Sequence, residues 1–170
     1  MDRNKEEPAI IELFRHNTWA TLKLLETCSA LTDEQLGLSA PGVYGSVGAT
    51  LVHLVHNEGN YLNILTGRQP FSPLKRGEFP GVAELIARTR TYGEMFVREA
   101  AQAQAGDTVT QEWQGQTMVL RKSVVLAQAI NHATEHRAHI STVLSQNGIE
   151  VPAIDVWAYG EEMEQGKIQP

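Results

Sequence analysis

The sequence is short of the features that mark several common protein classes. It has one cysteine, Cys28, so no internal disulfide can form, and the neighbours Leu24, Leu25 and Leu31 suggest a buried thiol more than a nucleophile. It has no uninterrupted apolar run of membrane-spanning length, and its amino-terminal MDRNKEEPAI lacks the apolar core of a targeting segment. The expected location is therefore the cytoplasm, with no membrane as partner. Lys and Arg are outnumbered by Asp and Glu, 14 against 20, for a formal charge of −6. No stretch concentrates basic residues as a phosphate-backbone footprint would, which argues against nucleic acid as a partner. Internal repeats and low-complexity tracts are absent as well.

What is present is ordinary for a packed fold. Hydrophobic residues make up 42% and charged residues 20% of 170, and a chain of that length buries about two thirds of its unfolded surface around one core. A single domain over residues 1–170 is expected.

Hydrophobic period then divides the chain. Ile10, Leu13, Phe14, Leu24 and Leu25 recur at helical spacing behind Pro8, predicting a first long helix to about Ala30. Thr32 with Gln35 fits a capping box for a short helical piece, and SAPGVYGS is loop chemistry. Ser46 is placed to cap a second long helix through Leu51, Leu54, Val55, Leu62 and Leu65, stopped by Gly67. The proline- and glycine-rich run of 67–81 belongs to no regular element. Loops 38–46 and 67–81 are the segments placed to shape a pocket. Residues 82–104 predict a third long helix. TVTQEWQGQTMVLR, at 108–121, reads as a small hairpin or extended loop around its central glycine. Ser123 is then expected to cap a fourth long helix running to Asn147, and the tail beyond Pro152 one more turn or two. The fold class is therefore all-α, a four-helix bundle with a small extended or hairpin segment before the last long helix. Such bundles build metal sites from side chains on facing helices.

Histidine is the residue type whose distribution carries information. Five of the six histidines fall in two short clusters, HLVH at 53–56 and HATEHRAH at 132–139. On a helix, His132, His136 and His139 lie within about 60° of one another. The i,i+4 pair His132 and His136 has Cβ atoms about 5–6 Å apart, so both imidazoles can reach one ion. The apolar residues Leu126, Ala129, Ala133, Ile140 and Leu144 centre about 90° from His132, which puts the histidines at the edge of the buried stripe. Two ligands complete no site, and HxxxH also occurs on solvated helices, so a third ligand is required. The second helix offers His53 or His56. Its apolar stripe lies about 140° from His53 and would bury Glu58. Either Glu58 faces the core as a ligand or as a partner of one, or the helix uses two faces and His53 borders an open groove with Asn57 and Asn60.

The segments HNTWATLKLL, TLVHLVHNEGNYL, NHATEHRAHI and NGIEVPAIDVWAY, taken in order, resemble the DinB-like, or DinB/YfiT, family of candidate metalloenzymes over nearly the whole chain. The resemblance implies a bundle that binds a divalent ion through one histidine of the second long helix and an HxxxH pair of the last. By position the metal ligands are then His53, His132 and His136, with His56 solvated or supporting. His139 stands where the family often carries glutamine; it is either a fourth ligand or, as expected here, a groove-lining residue that serves, with Glu58, as a catalytic candidate that carries protons. Glu135 is either a support for a ligand imidazole or an exposed charge. Arg137, on the other side of the histidine column, is a candidate to pair with an acid or to anchor a subunit contact. Trp19, Trp113 and Trp157 are expected to pack.

Three imidazoles leave coordination positions open, so a bound ion can lower the pKa of a water or thiol or polarise a carbonyl. Proteins similar in fold to this family include thiol-dependent transferases and isomerases, as in bacillithiol and mycothiol chemistry. The leading expectation is a metal-dependent thiol S-transferase holding zinc or nickel, with a low-molecular-weight thiol as cosubstrate and a small molecule as substrate. The alternatives are a metal-dependent hydrolase and a non-catalytic, metal-stabilised bundle. A homodimer is the expected assembly.

Overall fold

The computed structural model describes residues 8–75 and 77–168; the amino-terminal MDRNKEE, read above for targeting signals, lies outside them. Among the described residues the elements are helices α1 (Ala9–Cys28), α2 (Asp33–Leu36), α3 (Val47–Thr66) and α4 (Val82–Gln102), strands β1 (Thr108–Trp113) and β2 (Gln116–Arg121), and helices α5 (Lys122–Gln146) and α6 (Val156–Glu164). The four long helices pack in the cyclic order α1, α4, α3, α5, each touching two neighbours. The all-α bundle with a hairpin ahead of its last long helix is thus the observed fold.

Each helix forms for reasons the residues supply. The Ser46 hydroxyl accepts from the backbone N–H of Ala49 at 3.2 Å, satisfying one of the donors a helix start leaves open. At the other end of α3, Gly67 takes φ 67° and closes the helix on the carbonyl of Asn63, a left-handed turn that glycine enters at little steric cost. Thr32 and Gln35 make both bonds of the expected capping box. The core runs down the bundle axis through Phe14, Leu24, Leu51, Leu54, Leu62, Leu85, Phe96, Ala133, Ile140 and Leu144, all at most 1% exposed. Each large apolar side chain among them contributes about 1.5–3 kcal/mol relative to leaving it in water. Phe14 of α1 stacks on Phe96 of α4 with centroids 4.9 Å apart.

Three readings need correction. Ser123 does not cap α5: the helix begins at Lys122 with Arg121 as its cap and no side-chain capping bond. The β ladder pairs Thr108 with Arg121, so the strand runs directly into the helix and leaves Ser123 inside its first turn. Trp113 and Trp157 do not pack: they are 57% and 84% exposed. Trp113 ends a strand beside a two-residue turn, Gln114 and Gly115, both at positive φ, the twist that a tight hairpin demands. Trp157 follows the cap residue Asp155 at the start of α6. Trp19 alone of the three is buried, in a small cluster with Ala20 and Tyr159 where α6 lies on α1. Cys28 is buried, and burial pushes its thiol up to about 12, which makes it unreactive. No helix among the described residues is long and apolar enough to cross a membrane.

Candidate metal centre

The packing of α3 against α5 decides where the histidines meet. On α5 the stripe Leu126, Ala129, Ala133, Ile140 and Leu144 is buried, which turns His132 and His136 toward the flank of α3. There the ligand-capable nitrogens of His53, His132 and His136 all lie within 4.8 Å of one another. The Nε2 atoms of His53 and His132 stand 3.2 Å apart. Two nitrogens bound to one ion at 2.0–2.1 Å and a tetrahedral angle would be separated by about 3.3 Å, so the pair is already at ligand spacing. His136 completes the triad, its ring centroid 4.3 Å from that of His132 and 4.6 Å from that of His53.

The electrostatics suit the same role. Burial lowers the pKa of His53 and of His132 to about 4, with repulsion from a second imidazole adding to it. His136 is lowered too, first by burial and then by His139, against a small opposing pull from Glu135. All three imidazoles are therefore neutral at pH 7, the form that binds metal. The Nδ1 atoms of His132 and His136 are buried and, among the described residues, accept or donate no hydrogen bond. Three neutral imidazoles at this spacing, with the Nε2 atoms of His53 and His132 facing each other, are a donor set that fits a divalent ion.

The residues around the triad divide into two groups. Asn57, one turn beyond His53, lies with its amide nitrogen 3.2 Å from both ring nitrogens of His53 and donates to the His53 carbonyl at 2.9 Å. Tyr44, in the loop before α3, lays its ring on His53 with centroids 3.9 Å apart and planes 24° apart, and its edge meets His136. Tyr61 stands edge-on to His132. His139 lies on the far side of His136, rings 5.5 Å apart, with its own Nδ1 buried and unpartnered among the described residues. His56 is half-buried and faces a groove, outside the triad. Glu135 is exposed.

The second group lies behind the triad, inside the bundle. Glu58 is 2% exposed and accepts from Asn17 Nδ2 at 3.0 Å. Arg137, 3% exposed, donates through Nη1 to Asn17 Oδ1 at 2.7 Å and Thr21 Oγ1 at 3.0 Å. Arg137 thus reaches an acid through Asn17. Burial pushes the Glu58 carboxyl up to about 7 against the opposing pull of Asn17 and Arg137, and it lowers Arg137 to about 10. Periodicity placed Glu58 in the core; its hydrogen bond runs to α1 and not to a histidine. Sequence reasoning missed Asn17 and Tyr44. An asparagine at a core position of α1, and a lone aromatic in a glycine-rich loop, were the available signals.

The sequence profile of the DinB family matches residues 1–167. A crystal structure of a DinB-like protein from Bacillus cereus is similar to this fold with a TM-score of 0.64 and 25% sequence identity, covering 85% of this chain and 94% of that one. No curated protein sequence matches. A helical bundle with three histidines gathered between its second and last long helices, under a profile that spans almost its whole length, makes the chain a member of the DinB family.

Proposed function

We propose that the protein is a metal-dependent enzyme in which His53, His132 and His136 hold zinc or nickel, and that it transfers a low-molecular-weight thiol to an electrophilic acceptor. The observation that carries this reading is the convergence of three neutral imidazoles whose nitrogens lie within 4.8 Å of one another, beside a groove large enough for a small molecule. Three protein ligands leave a coordination position open, and a bound ion there would favour the thiolate over the thiol. His139, with a buried Nδ1 that has no partner among the described residues and lies next to His136, is the residue suited to accept the thiol proton and return it to the leaving group. The sulfur–carbon bond forms as the acceptor's bond to its leaving group breaks, so the thiol proton departs with that group. Asn57 braces the backbone of His53 through its bond to the His53 carbonyl, and Asn17, bonded to both Glu58 and Arg137, ties α1 to α3 and α5 from behind.

The test is a thiol-consumption assay on zinc- or nickel-loaded protein, using bacillithiol, mycothiol, glutathione and cysteine against 1-chloro-2,4-dinitrobenzene. The expected result is transfer from at least one thiol, abolished in His132→Ala. Ester hydrolysis without thiol consumption would replace this reading with the hydrolytic one, and inertness in both assays would remove the catalytic reading.

A further inference from the structure

A groove of about 740 Å³ opens along the first half of α3, on the side of His53 away from α5. That volume is within the range of small-molecule sites, about 300–1,000 Å³, and far exceeds what three imidazoles and an ion require. Its apolar walls come from three segments: Leu36 of α2, Ala49 and Val52 of α3, and Leu74 and Phe79 of the loop before α4. The edge of Phe79 packs on the first turn of α3, with Cδ2 3.6 Å from where a Cβ on Gly48 would stand. At the rim, Lys75 is paired with Glu78 at 3.4 Å and both side chains are largely exposed, so this charge pair faces solvent while the walls below it are apolar.

One end of the groove is shared with the triad. Tyr44 and His53 both line it, and their stacked rings, 3.9 Å between centroids, form a continuous surface from the groove to a ligand. His56 and Asn57 add polar atoms at the same end. The groove is thus mainly apolar, with Asp33 and Ser46 as further polar lining residues and a polar end where it meets the histidines, the pattern of a site that holds a molecule by its body and presents its other end.

We propose that this groove binds an apolar, aromatic-bodied small molecule, seated against Leu36, Val52 and Phe79 with its reactive polar end at Tyr44 and His53. In the thiol-transfer reading, on which the chemistry of this molecule rests though its binding does not, it is the electrophilic acceptor. Two aromatic side chains, Tyr44 and Phe79, are among the lining residues, which favours a planar aromatic body over a flexible aliphatic one.

The test is a fluorescence titration with 1-N-phenylnaphthylamine, a neutral aromatic probe, with bound metal measured on the same samples. Wild type is expected to bind the probe saturably. Ala49→Trp, at an exposed position on the groove wall, should fill the space and weaken binding by about tenfold or more. Phe79→Asp, in an exposed loop, should weaken it in the same direction, and both should retain the metal content of wild type. His132→Ala, which does not line the groove, should lose metal and keep the probe. Non-saturable binding, or binding unchanged in both groove variants, overturns the groove site while leaving the metal centre standing. Saturable probe binding that Ala49→Trp weakens, in protein that takes up no metal, would support the groove and overturn the metal reading.

Discussion

His53 and His132, 79 positions apart in the chain, bring their Nε2 atoms to 3.2 Å. Two neutral imidazoles can share one proton at that distance, but the third, His136, adds a buried nitrogen that no described protein group satisfies. An ion can take a lone pair from each of the three imidazoles, whereas the contact between Nε2 atoms joins only two of them. Elemental analysis of untagged protein should find about one zinc or nickel per chain, the number expected for a single open three-histidine site. His53→Ala, His132→Ala and His136→Ala should each lose it. His56→Ala should keep it. Retention of metal by all three triad variants would show that the ion sits elsewhere.

Glu58 carries the second prediction, and its sign runs opposite to that of an ordinary surface carboxylate. Its pKa rises from 4.5 to about 7 in the folded protein, so the folded state binds more protons than the unfolded state between those values. Stability contributed by this group is full below about pH 4.5 and falls as pH rises toward 7. Glu58→Gln mimics the protonated acid and can still accept from Asn17. Chemical denaturation should find the variant close to wild type at pH 5 and more stable than wild type at pH 8, by at most about 1.4 kcal/mol for each pH unit in the window. A variant less stable than wild type at pH 8 would mean that the ionised carboxylate is needed by Arg137.

The triad titrates the other way. His53 and His132 have folded pKa values of about 4 against 6.5 when unfolded, and His136 is lowered as well. Acid therefore protonates the unfolded chain first, and metal-free protein should lose stability as pH falls from about 6.5 toward 4, with no contribution from these groups above that window. His132→Gln removes one of the titrating groups and should flatten the slope of denaturation midpoint against pH. Added zinc should raise the midpoint at pH 7 and lose its effect as protons compete for the same nitrogens. An identical slope in wild type and variant would place the acid sensitivity in other groups.

Most of the architecture was legible because it depends on local signals. Ser46, Gly67 and the Thr32–Gln35 box act within one turn, and the apolar period of α5 fixed which face carries His132 and His136. Glu58 was legible as buried for the same reason. Its partners were not, because Asn17 and Arg137 come from helices whose mutual rotation no single-helix pattern sets. The choice between His53 and His56 was also out of reach of periodicity: the two lie three residues apart, and only the packing of α3 on α5 decides which faces the pair. Tyr44 stacks on His53 from a loop, where side-chain direction follows backbone turns and has no period. Ser123 failed as a cap because a strand runs into α5 without the break that a capping residue normally marks.

Close packing of α1 on α4 gives the last prediction, which concerns the bundle and leaves the histidines alone. Gly93 lies in the buried face of α4 with an ordinary negative φ, so its value is space and not conformational freedom. A Cβ there would collide with the Oγ1 and Cγ2 atoms of Thr18 on α1. Thr18 cannot swing away freely, because its hydroxyl donates to the Phe14 carbonyl at 3.0 Å, and Phe14 itself is stacked on Phe96 of α4. Gly93→Ala should gain helix propensity of about 0.8–1.0 kcal/mol and lose more than that to overpacking, about 1–3 kcal/mol, for a net loss in urea denaturation. Thr18→Ala removes Oγ1 and Cγ2 and leaves only its Cβ, at 3.0 Å, against the new methyl, so the Gly93→Ala loss should be clearly smaller in the Thr18→Ala background than in wild type. Additive losses in the double variant would mean that α4 cannot approach α1 for some reason other than Thr18.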